Sequence, residues 1–148
     1  MNPPNDCKFC ALLSRGPLAA QLPHLLLETP HAVVAVNRRP AAPGHVTLIA
    51  KPHRARPSEF ADDDFHGFGG LVGRVAAVLE AQYQPQRVIF LGDGKPSAHL
   101  HFHLIPQPAG APLDLGAVIA DLNLAARPNT LDDAATAEIV QTLRRKLS

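Results

Sequence analysis

The sequence predicts an α+β fold, with a mostly antiparallel sheet of five strands, one long helix and a C-terminal helix. Five short apolar segments, rich in Val, Ile, Leu and Phe, are bounded by turn residues, and most of the 15 prolines lie between such segments. The segments follow one another directly, except where a long helical pattern separates the third from the fourth. That order is typical of strands that pair with their sequence neighbours in an antiparallel sheet.

The five candidate strands are, in chain order, residues 24–29, 32–37, 45–51, 87–93 and 99–106. The first two are separated by Pro30 and His31, which is the length of a hairpin turn. The last candidate strand reads HLHFHLIP, and successive side chains of a strand point to opposite faces. The sequence therefore predicts two faces for this strand, a polar one with His99, His101 and His103 and an apolar one with Leu100, Phe102 and Leu104.

This row of histidines has two interpretations. It could be structural, as a solvated face on an edge strand or a chance run in a basic stretch, or it could be a chemical site. Three neighbouring imidazoles repel one another whenever more than one is protonated, and surface positions have less costly polar occupants. The pattern therefore favours a site.

Two segments are predicted to be helical. From Asp62 to Tyr83 apolar residues recur at helical spacing, and three acidic residues fall in the first turn, where the helix dipole favours them. The second helix is predicted from about Leu131 to Leu147, with Thr130 or Asp132 as a possible cap and basic residues near its C-terminal end.

Composition indicates a single globular domain over residues 1–148, because 46% of the residues are hydrophobic and 18% are charged. The net charge of +1 gives no electrostatic reason to expect nucleic-acid binding. No apolar run is long enough to cross a membrane, and the N-terminal residues lack the basic and then apolar pattern of a signal peptide. We therefore expect a cytoplasmic protein without a membrane partner.

The N-terminal segment contains the sequence CKFC, in which Cys7 and Cys10 form a CxxC pair. In a cytosolic chain such a pair indicates either a redox dithiol or half of a zinc site. A zinc site needs two more ligands, and two buried free cysteines are a further alternative.

Two stretches resemble the hallmarks of the histidine triad (HIT) superfamily of nucleotide-binding hydrolases and transferases. They are HLHFHLIP and, at residues 36–53, VNRRPAAPGHVTLIAKPH. The resemblance covers about residues 7–107 and leaves residues 108–148 as a C-terminal extension. It implies a HIT-like fold and an activity similar to that of diadenosine polyphosphate hydrolases.

The resemblance also implies a homodimer in which two five-stranded sheets pair across a twofold axis, with the helix of residues 62–83 at the interface. That helix has an apolar stripe of Phe65, Phe68, Leu71, Val72 and Val75, together with glycines at 67, 69, 70 and 73. The alternative is a monomer, in which the stripe packs only on the chain's own sheet.

By resemblance, His101 is the nucleophile. It would attack the α-phosphorus of a purine nucleotide substrate and hold the nucleotidyl group as a covalent phosphoramidate. The resemblance places His103 and His45 beside it, in contact with the phosphoryl oxygens. The attacking nitrogen must be unprotonated, so the other ring nitrogen needs an acceptor such as a backbone carbonyl.

The nucleotide-binding residues are also implied by resemblance. Asn37 matches a residue that binds the ribose hydroxyls, although a turn at the end of a strand is an alternative role. Gly44 would let the backbone approach the nucleotide closely. Val36 and Leu27 are candidates for contact with the base, and Lys95 and Ser97 for contact with the phosphates.

The chain departs from the family pattern near the triad. Before it stands LGDGKPSAH, residues 91–99, where many HIT hydrolases carry Gly-Gln-Ser/Thr-Val. Asp93 stands where Asn is common, and Gln107 replaces an arginine that often follows Ile-Pro. These departures affect the expected leaving group more than the type of reaction.

Some HIT proteins with an N-terminal CxxC pair bind zinc through that pair, the first triad histidine and the histidine of a Lys-x-His motif. The matching residues here are Cys7, Cys10, His99 and His53. The resemblance thus implies a structural Zn²⁺ that ties the N-terminal segment to the start of the catalytic strand.

The predicted function is hydrolysis of a dinucleoside polyphosphate or a nucleoside phosphoramidate. The alternatives are a nucleotidyltransferase or phosphorylase, and a zinc-stabilised nucleotide-binding module with little turnover. A metal-dependent enzyme that uses HLHFH as ligands is a further alternative, for which Asp93 is the nearest carboxylate.

Overall fold

The computed structural model describes residues 6–37, 39–92, 98–114, 116, 119 and 132–148. The strands are β1 (Leu25–Glu28), β2 (Ala32–Val36), β3 (Val46–Ala50), β4 (Arg87–Leu91) and β5 (His101–Gln107). The helices are α1 (Lys8–Ser14), α2 (Leu18–Gln21), α3 (Asp62–Tyr83) and α4 (Asp133–Leu147), with a 3-10 turn at Pro57–Glu59.

The five strands form one sheet in the order β1-β2-β3-β5-β4, and every neighbouring pair is antiparallel. The predicted fold class and all five predicted strands are confirmed. Strand β5 begins at His101, two residues later than the predicted start. Ala50 still donates its N–H to the Leu100 carbonyl, but the Leu100 N–H donates to Arg54, so the ladder with β3 has ended there.

Helix α3 has the bounds that the sequence predicts, and its apolar face covers one side of the sheet. Phe68, Leu71, Val75 and Leu79 are buried in a core with strand residues such as Leu48 and Leu104.

Helix α4 joins the same core through Val140, Leu143 and Leu147. Its N-cap is Asp132, whose carboxylate accepts a hydrogen bond from the Ala135 N–H at 2.6 Å. The predicted start at Leu131 and the other candidate cap, Thr130, lie outside the described residues.

Register in the sheet separates a core face from a histidine face. Val36 pairs with Val46 and points toward α3, whereas Thr47 pairs with His103 and Ile49 with His101 on the opposite side. The predicted split of HLHFHLIP is therefore confirmed. Val36 and Leu27 lie in or against the α3-facing core, so their predicted contact with the base is wrong.

The N-terminal helices α1 and α2 are not anticipated by the sequence analysis. They have seven and four residues, which is too short to display a helical period. Phe9 of α1 contacts the rings of His99 and His101 at centroid distances of 5.5 and 5.0 Å. Helix α1 therefore lies on the histidine face, opposite α3.

Within the described ranges no helix combines the length and apolarity needed for a membrane span.

Candidate functional site

Strands β3 and β5 bring three of the predicted site histidines together. His101 and His103 share one face of β5 with ring centroids 5.3 Å apart. His45 lies immediately before β3, is fully buried, and has its ring centroid 5.2 Å from that of His103. The structure thus forms a triad of His45, His101 and His103.

The protonation of His101 follows from its backbone neighbour. Its Nδ1 lies 2.7 Å from the carbonyl oxygen of His99, which can only accept a hydrogen bond. Nδ1 therefore carries the proton, and Nε2 of the neutral ring carries a lone pair. His101 itself is 5% exposed, so this arrangement is shielded from bulk water.

The other two triad rings are oriented by a chain of donors. The Ala41 N–H donates to Nδ1 of His45 at 3.0 Å, so the proton of neutral His45 lies on Nε2. That Nε2 is 3.0 Å from Nδ1 of His103 and donates to it. Nδ1 of His103 is therefore unprotonated, and the neutral ring carries its proton on Nε2.

Asn37 and Thr47 extend this network beside the triad. The amide oxygen of Asn37 accepts from the Arg39 N–H at 2.8 Å, and its amide nitrogen donates to Oγ1 of Thr47 at 3.0 Å. The first contact spans two residues and forms the turn that was the alternative role for Asn37. Thr47 was missed in the sequence analysis, because a single threonine in an apolar strand carries no motif signal.

Gly44 is required by its backbone and by its neighbour. It adopts a positive φ of 82°, which side chains rarely tolerate, and a Cβ at this position would collide with the ring of Tyr83. Burial raises the pKa of Tyr83. The structure therefore provides a packing reason for the glycine that comes immediately before His45.

A second cluster contains Cys7, Cys10, His53 and His99, whose ligand atoms all lie within 4.8 Å of one another. Sγ of Cys7 is 3.4 Å from Nδ1 of His99, and Sγ of Cys10 is 3.1 Å from Nδ1 of His53. The two Nδ1 atoms are 3.2 Å apart. Tetrahedral coordination places sulfur and nitrogen ligands about 3.6 Å apart and two nitrogens about 3.3 Å apart, so these four residues could hold a metal ion.

The protonation of His99 suits a ligand. Its Nε2 lies 2.6 Å from the Ala50 carbonyl and must donate to it, which leaves Nδ1 unprotonated and directed at the cluster. Burial lowers the pKa of His99, and the nearby His53 and His101 act in the same direction, whereas the bond to Ala50 opposes them. His99 is therefore held neutral, as metal ligation requires.

Without a cation the thiol of Cys10 stays protonated. Burial, its contact with Cys7 and the charge of Cys7 raise the pKa of Cys10 to about 11. A thiolate is the form that binds metal, so a bound cation would have to displace this proton. The described residues contain no second cluster of three or more His, Cys, Asp or Glu side chains that could hold a metal ion. The cluster found here includes His99 but neither His101 nor His103.

Of the remaining residues that the sequence singled out, three lie outside the described residues and one is buried at the end of β5. Lys95 and Ser97, together with Asp93, lie outside the described residues. Gln107 is buried, and its side-chain oxygen accepts a hydrogen bond from Nε of Arg87 at 2.8 Å. The guanidinium of Arg87 in β4 therefore lies beside the side chain of Gln107.

A family model described as the HIT domain matches residues 21–110, which is more than half of the chain. The chain belongs to the HIT domain family. The matched residues include all five histidines of the triad and the metal cluster, while Cys7 and Cys10 precede them.

Two curated HIT relatives illustrate the range of similar proteins. The nitrilase and fragile histidine triad fusion protein NitFhit of Caenorhabditis elegans is 30% identical over 92 residues, which are 59% of this chain and 21% of that protein. The bis(5'-adenosyl)-triphosphatase of Dictyostelium discoideum is 26% identical over 97 residues, 62% of this chain and 65% of that enzyme. The chain therefore spans about a fifth of the length of the fusion protein and about two thirds of the length of the triphosphatase.

Solved HIT structures share the fold over nearly the whole chain. A HIT-like protein from Bartonella henselae has a TM-score of 0.69 at 17% identity and covers 97% of this chain and 98% of its own. A zinc-bound histidine triad protein from Mycobacterium smegmatis has a TM-score of 0.66 at 19% identity, with coverages of 96% and 93%.

Proposed function

We propose that the protein is a nucleotidyl hydrolase, which cleaves a dinucleoside polyphosphate or a nucleoside phosphoramidate at the α-phosphate through a nucleotidyl-His101 intermediate. Membership of the HIT family and similarity to a bis(5'-adenosyl)-triphosphatase support this class of reaction. The substrate is proposed to be a purine nucleotide, by analogy with that enzyme.

The observation that carries the proposal is the 2.7 Å contact between Nδ1 of His101 and the His99 carbonyl. It fixes the neutral tautomer with its proton on Nδ1, so that Nε2 is the ring nitrogen that carries the lone pair needed for attack. When Nε2 bonds to phosphorus the ring becomes a cation, and the same carbonyl stabilises the positive charge that Nδ1–H then shares.

The reaction proceeds in two displacements. Nε2 of His101 attacks the α-phosphorus, and the leaving group departs with the bonding electron pair, either as a phosphate or, with a proton taken from solvent, as an amine. Water then attacks the same phosphorus, the phosphorus–nitrogen bond breaks with its electron pair returning to Nε2, and a proton passes to solvent. His103 donates its Nε2–H to a phosphoryl oxygen, where negative charge accumulates during both steps.

His45 acts through His103 in this proposal, because its two ring nitrogens contact Ala41 and His103. Asn37 binds the ribose through the second lone pair of its amide oxygen, since Arg39 takes one of the two. Gly44 places the backbone close to the nucleotide, and Lys95 and Ser97 remain candidates for the phosphate contacts.

The metal is proposed to be a structural Zn²⁺ held by Cys7, Cys10, His53 and His99. Two thiolates and two imidazoles are a ligand set that zinc prefers, and such sites are closed to substrate. Zinc would supply folding free energy and take no part in the displacement. A reducing compartment such as the cytoplasm would keep both cysteines as thiols.

The proposal includes a homodimer, with α3 at its interface. The buried side of α3 packs on the chain's own sheet, as the monomer alternative requires, but its other side is exposed and carries Gly69, Gly70 and Gly73. Apart from the neighbouring residues and the backbone of α3 itself, no heavy atom of the described residues lies within 4 Å of a Cβ built on any of these three glycines. The space beside them would admit the backbone of a second copy.

The test is turnover of diadenosine tetraphosphate and of an adenosine phosphoramidate by His101→Ala, with His24→Ala as a control outside the triad. We expect His101→Ala to lose turnover while nucleotide binding, measured by calorimetry, persists, because the covalent step is lost and the pocket remains. Turnover that persists in a chelator would support a histidine nucleophile over a metal-dependent reaction. Turnover by His101→Ala above a small fraction of wild type would contradict the nucleophile assignment.

A further inference from the structure

Thr47 is a buried polar residue in a strand that is otherwise apolar. Thr47 of β3 is 8% exposed. The other residues of this strand are apolar and buried, namely Val46, Leu48, Ile49 and Ala50. A hydroxyl in such a position must find hydrogen-bond partners, or it costs free energy. Its register partner on β5 is His103.

The direction of the hydrogen bonds around Thr47 is fixed by Asn37. The backbone N–H of Arg39 can only donate, so the Asn37 atom that it contacts at 2.8 Å must be the amide oxygen. The amide nitrogen therefore faces Thr47, at 3.0 Å from Oγ1, and donates to it. The hydroxyl proton of Thr47 must then point to a different acceptor.

That acceptor is Nδ1 of His103. Oγ1 of Thr47 lies 3.3 Å from it, Nε2 of His45 lies 3.0 Å from it and Nδ2 of Asn37 lies 3.4 Å from it. All three neighbouring groups donate a hydrogen bond. A proton on Nδ1 of His103 would therefore point at the hydrogen atoms of three donors. The environment selects the form of His103 with its proton on Nε2.

We propose that Thr47, oriented by Asn37, is a positioning residue that donates to Nδ1 of His103 beside His45, supports the Nε2–H form that His45 sets, and fixes the ring for hydrogen bonding to the phosphoryl group. The catalytic part of this inference rests on the proposed function, because it assigns the phosphoryl contact to His103. The tautomer itself is a property of the protein without substrate.

The experiment uses the full chain, loaded with zinc and labelled with ¹⁵N at histidine. Two-bond ¹H–¹⁵N correlation spectra report the tautomer of each ring, and His103→Asn identifies the signals of His103. Thr47→Val removes the hydroxyl while keeping the shape, Thr47→Ser keeps the hydroxyl, and Thr136→Val removes a buried hydroxyl in α4 that donates to Asp132. Thr47→Ala is a second deletion variant if Thr47→Val folds poorly.

We expect the Nε2–H form of His103 in wild type, Thr47→Ser and Thr136→Val. In Thr47→Val the Nδ1 signal should move downfield, towards a nitrogen that accepts fewer hydrogen bonds, and kcat should fall about three- to tenfold with KM changed less than twofold, as expected for one lost hydrogen bond. An Nδ1–H form in wild type, or an unchanged His103 signal in Thr47→Val and Thr47→Ala, would overturn the inference. If no variant and no wild-type sample turns over nucleotide, the proposed function fails, while the spectra still decide the role of Thr47.

Discussion

His99 forms hydrogen-bond contacts through three different atoms, and two of them join the two candidate sites. Its Nδ1 faces the thiols of the metal cluster, its Nε2 donates to Ala50, and its carbonyl oxygen accepts from His101. The residue that would bind the metal therefore also fixes the proton of the proposed nucleophile. A change in the position of His99 would therefore alter the ring of His101, even if a bound metal took no part in the proposed reaction.

Gly44 gives a prediction at the scale of one residue. Gly44→Ala should destabilise the protein by about 2–4 kcal/mol, because alanine is strained at positive φ and the Cβ would displace the Tyr83 ring. The measurement is urea denaturation followed by circular dichroism. The control is Gly110→Ala, which has a φ of 74° but nothing within 4 Å of the added Cβ, and it should cost only about 1–2 kcal/mol. Equal losses in the two variants would refute the contact with Tyr83.

The residue scale also shows what sequence reasoning could and could not reach. The division of the histidines between metal and triad follows from motif resemblance, because the residue types and spacings carry it. The direction of the hydrogen bonds does not. Nothing in the sequence says that the His99 carbonyl meets His101, or that Thr47 meets His103, since both contacts depend on strand register and on where β5 begins.

At the scale of elements, α1 depends on the cluster for its position. It has seven residues, none of which is buried, and a helix of this length is not stable in water alone. Its N-cap is Cys7, whose Sγ accepts from the Cys10 N–H. Bound metal would therefore hold α1, and with it Phe9, against the histidine face.

Loss of the metal should release α1 selectively. In Cys7→Ser, or after chelation, we expect amide hydrogen exchange at residues 8–14 to rise at least tenfold more than exchange in α3, because α3 packs in the core and opens only with the whole fold. Mass spectrometry of peptic fragments measures both segments in one sample. Ser14→Ala, at the exposed end of the same helix, should leave the exchange of both segments unchanged. Unchanged exchange at residues 8–14 after verified metal removal would refute the attachment.

Length explains which elements the sequence could predict. The β strands alternate or are apolar throughout, and α3 repeats its apolar positions over 22 residues, so both give a clear period. Helices α1 and α2 span at most two turns and give none. The assignment of Val36 and Leu27 to a base pocket failed because alternation alone does not say which face of a strand meets the helix.

At the scale of the whole molecule, the sheet separates the main hydrophobic core from the two candidate sites. One face packs against α3 and α4 and forms the main core, and the other carries the triad and the metal cluster under α1. We propose that residues 1–148 form a single domain, because Val140, Leu143 and Leu147 of α4 belong to the same core as α3 and the strands. The C-terminal helix is then a part of the fold rather than an appendage.

Among the described residues, an exposed ring on β4 lies on the same side of the sheet as α3. Strand β4 lies at one end of the strand order, and its Phe90 pairs with core residue Leu104, so Phe90 points to the same side of the sheet as α3. Phe90 is 51% exposed and Phe65 of α3 is 37% exposed. Two copies related by a twofold axis could bury these rings and pair the α3 glycine faces.

Sedimentation velocity at micromolar concentration tests this assembly. We expect a mass of twice the 15.8 kDa chain, because three glycines in the interior of α3 cost roughly 1 kcal/mol each relative to alanine, and close packing of a second copy would offset that cost. Phe90→Glu should shift the equilibrium to monomer by placing a charge in the interface, whereas Gln141→Glu, on the exposed side of α4, should leave the dimer intact. A wild-type monomer would refute the dimer and leave the tautomer of His101 unaffected, because the His99 carbonyl that sets it belongs to the same chain.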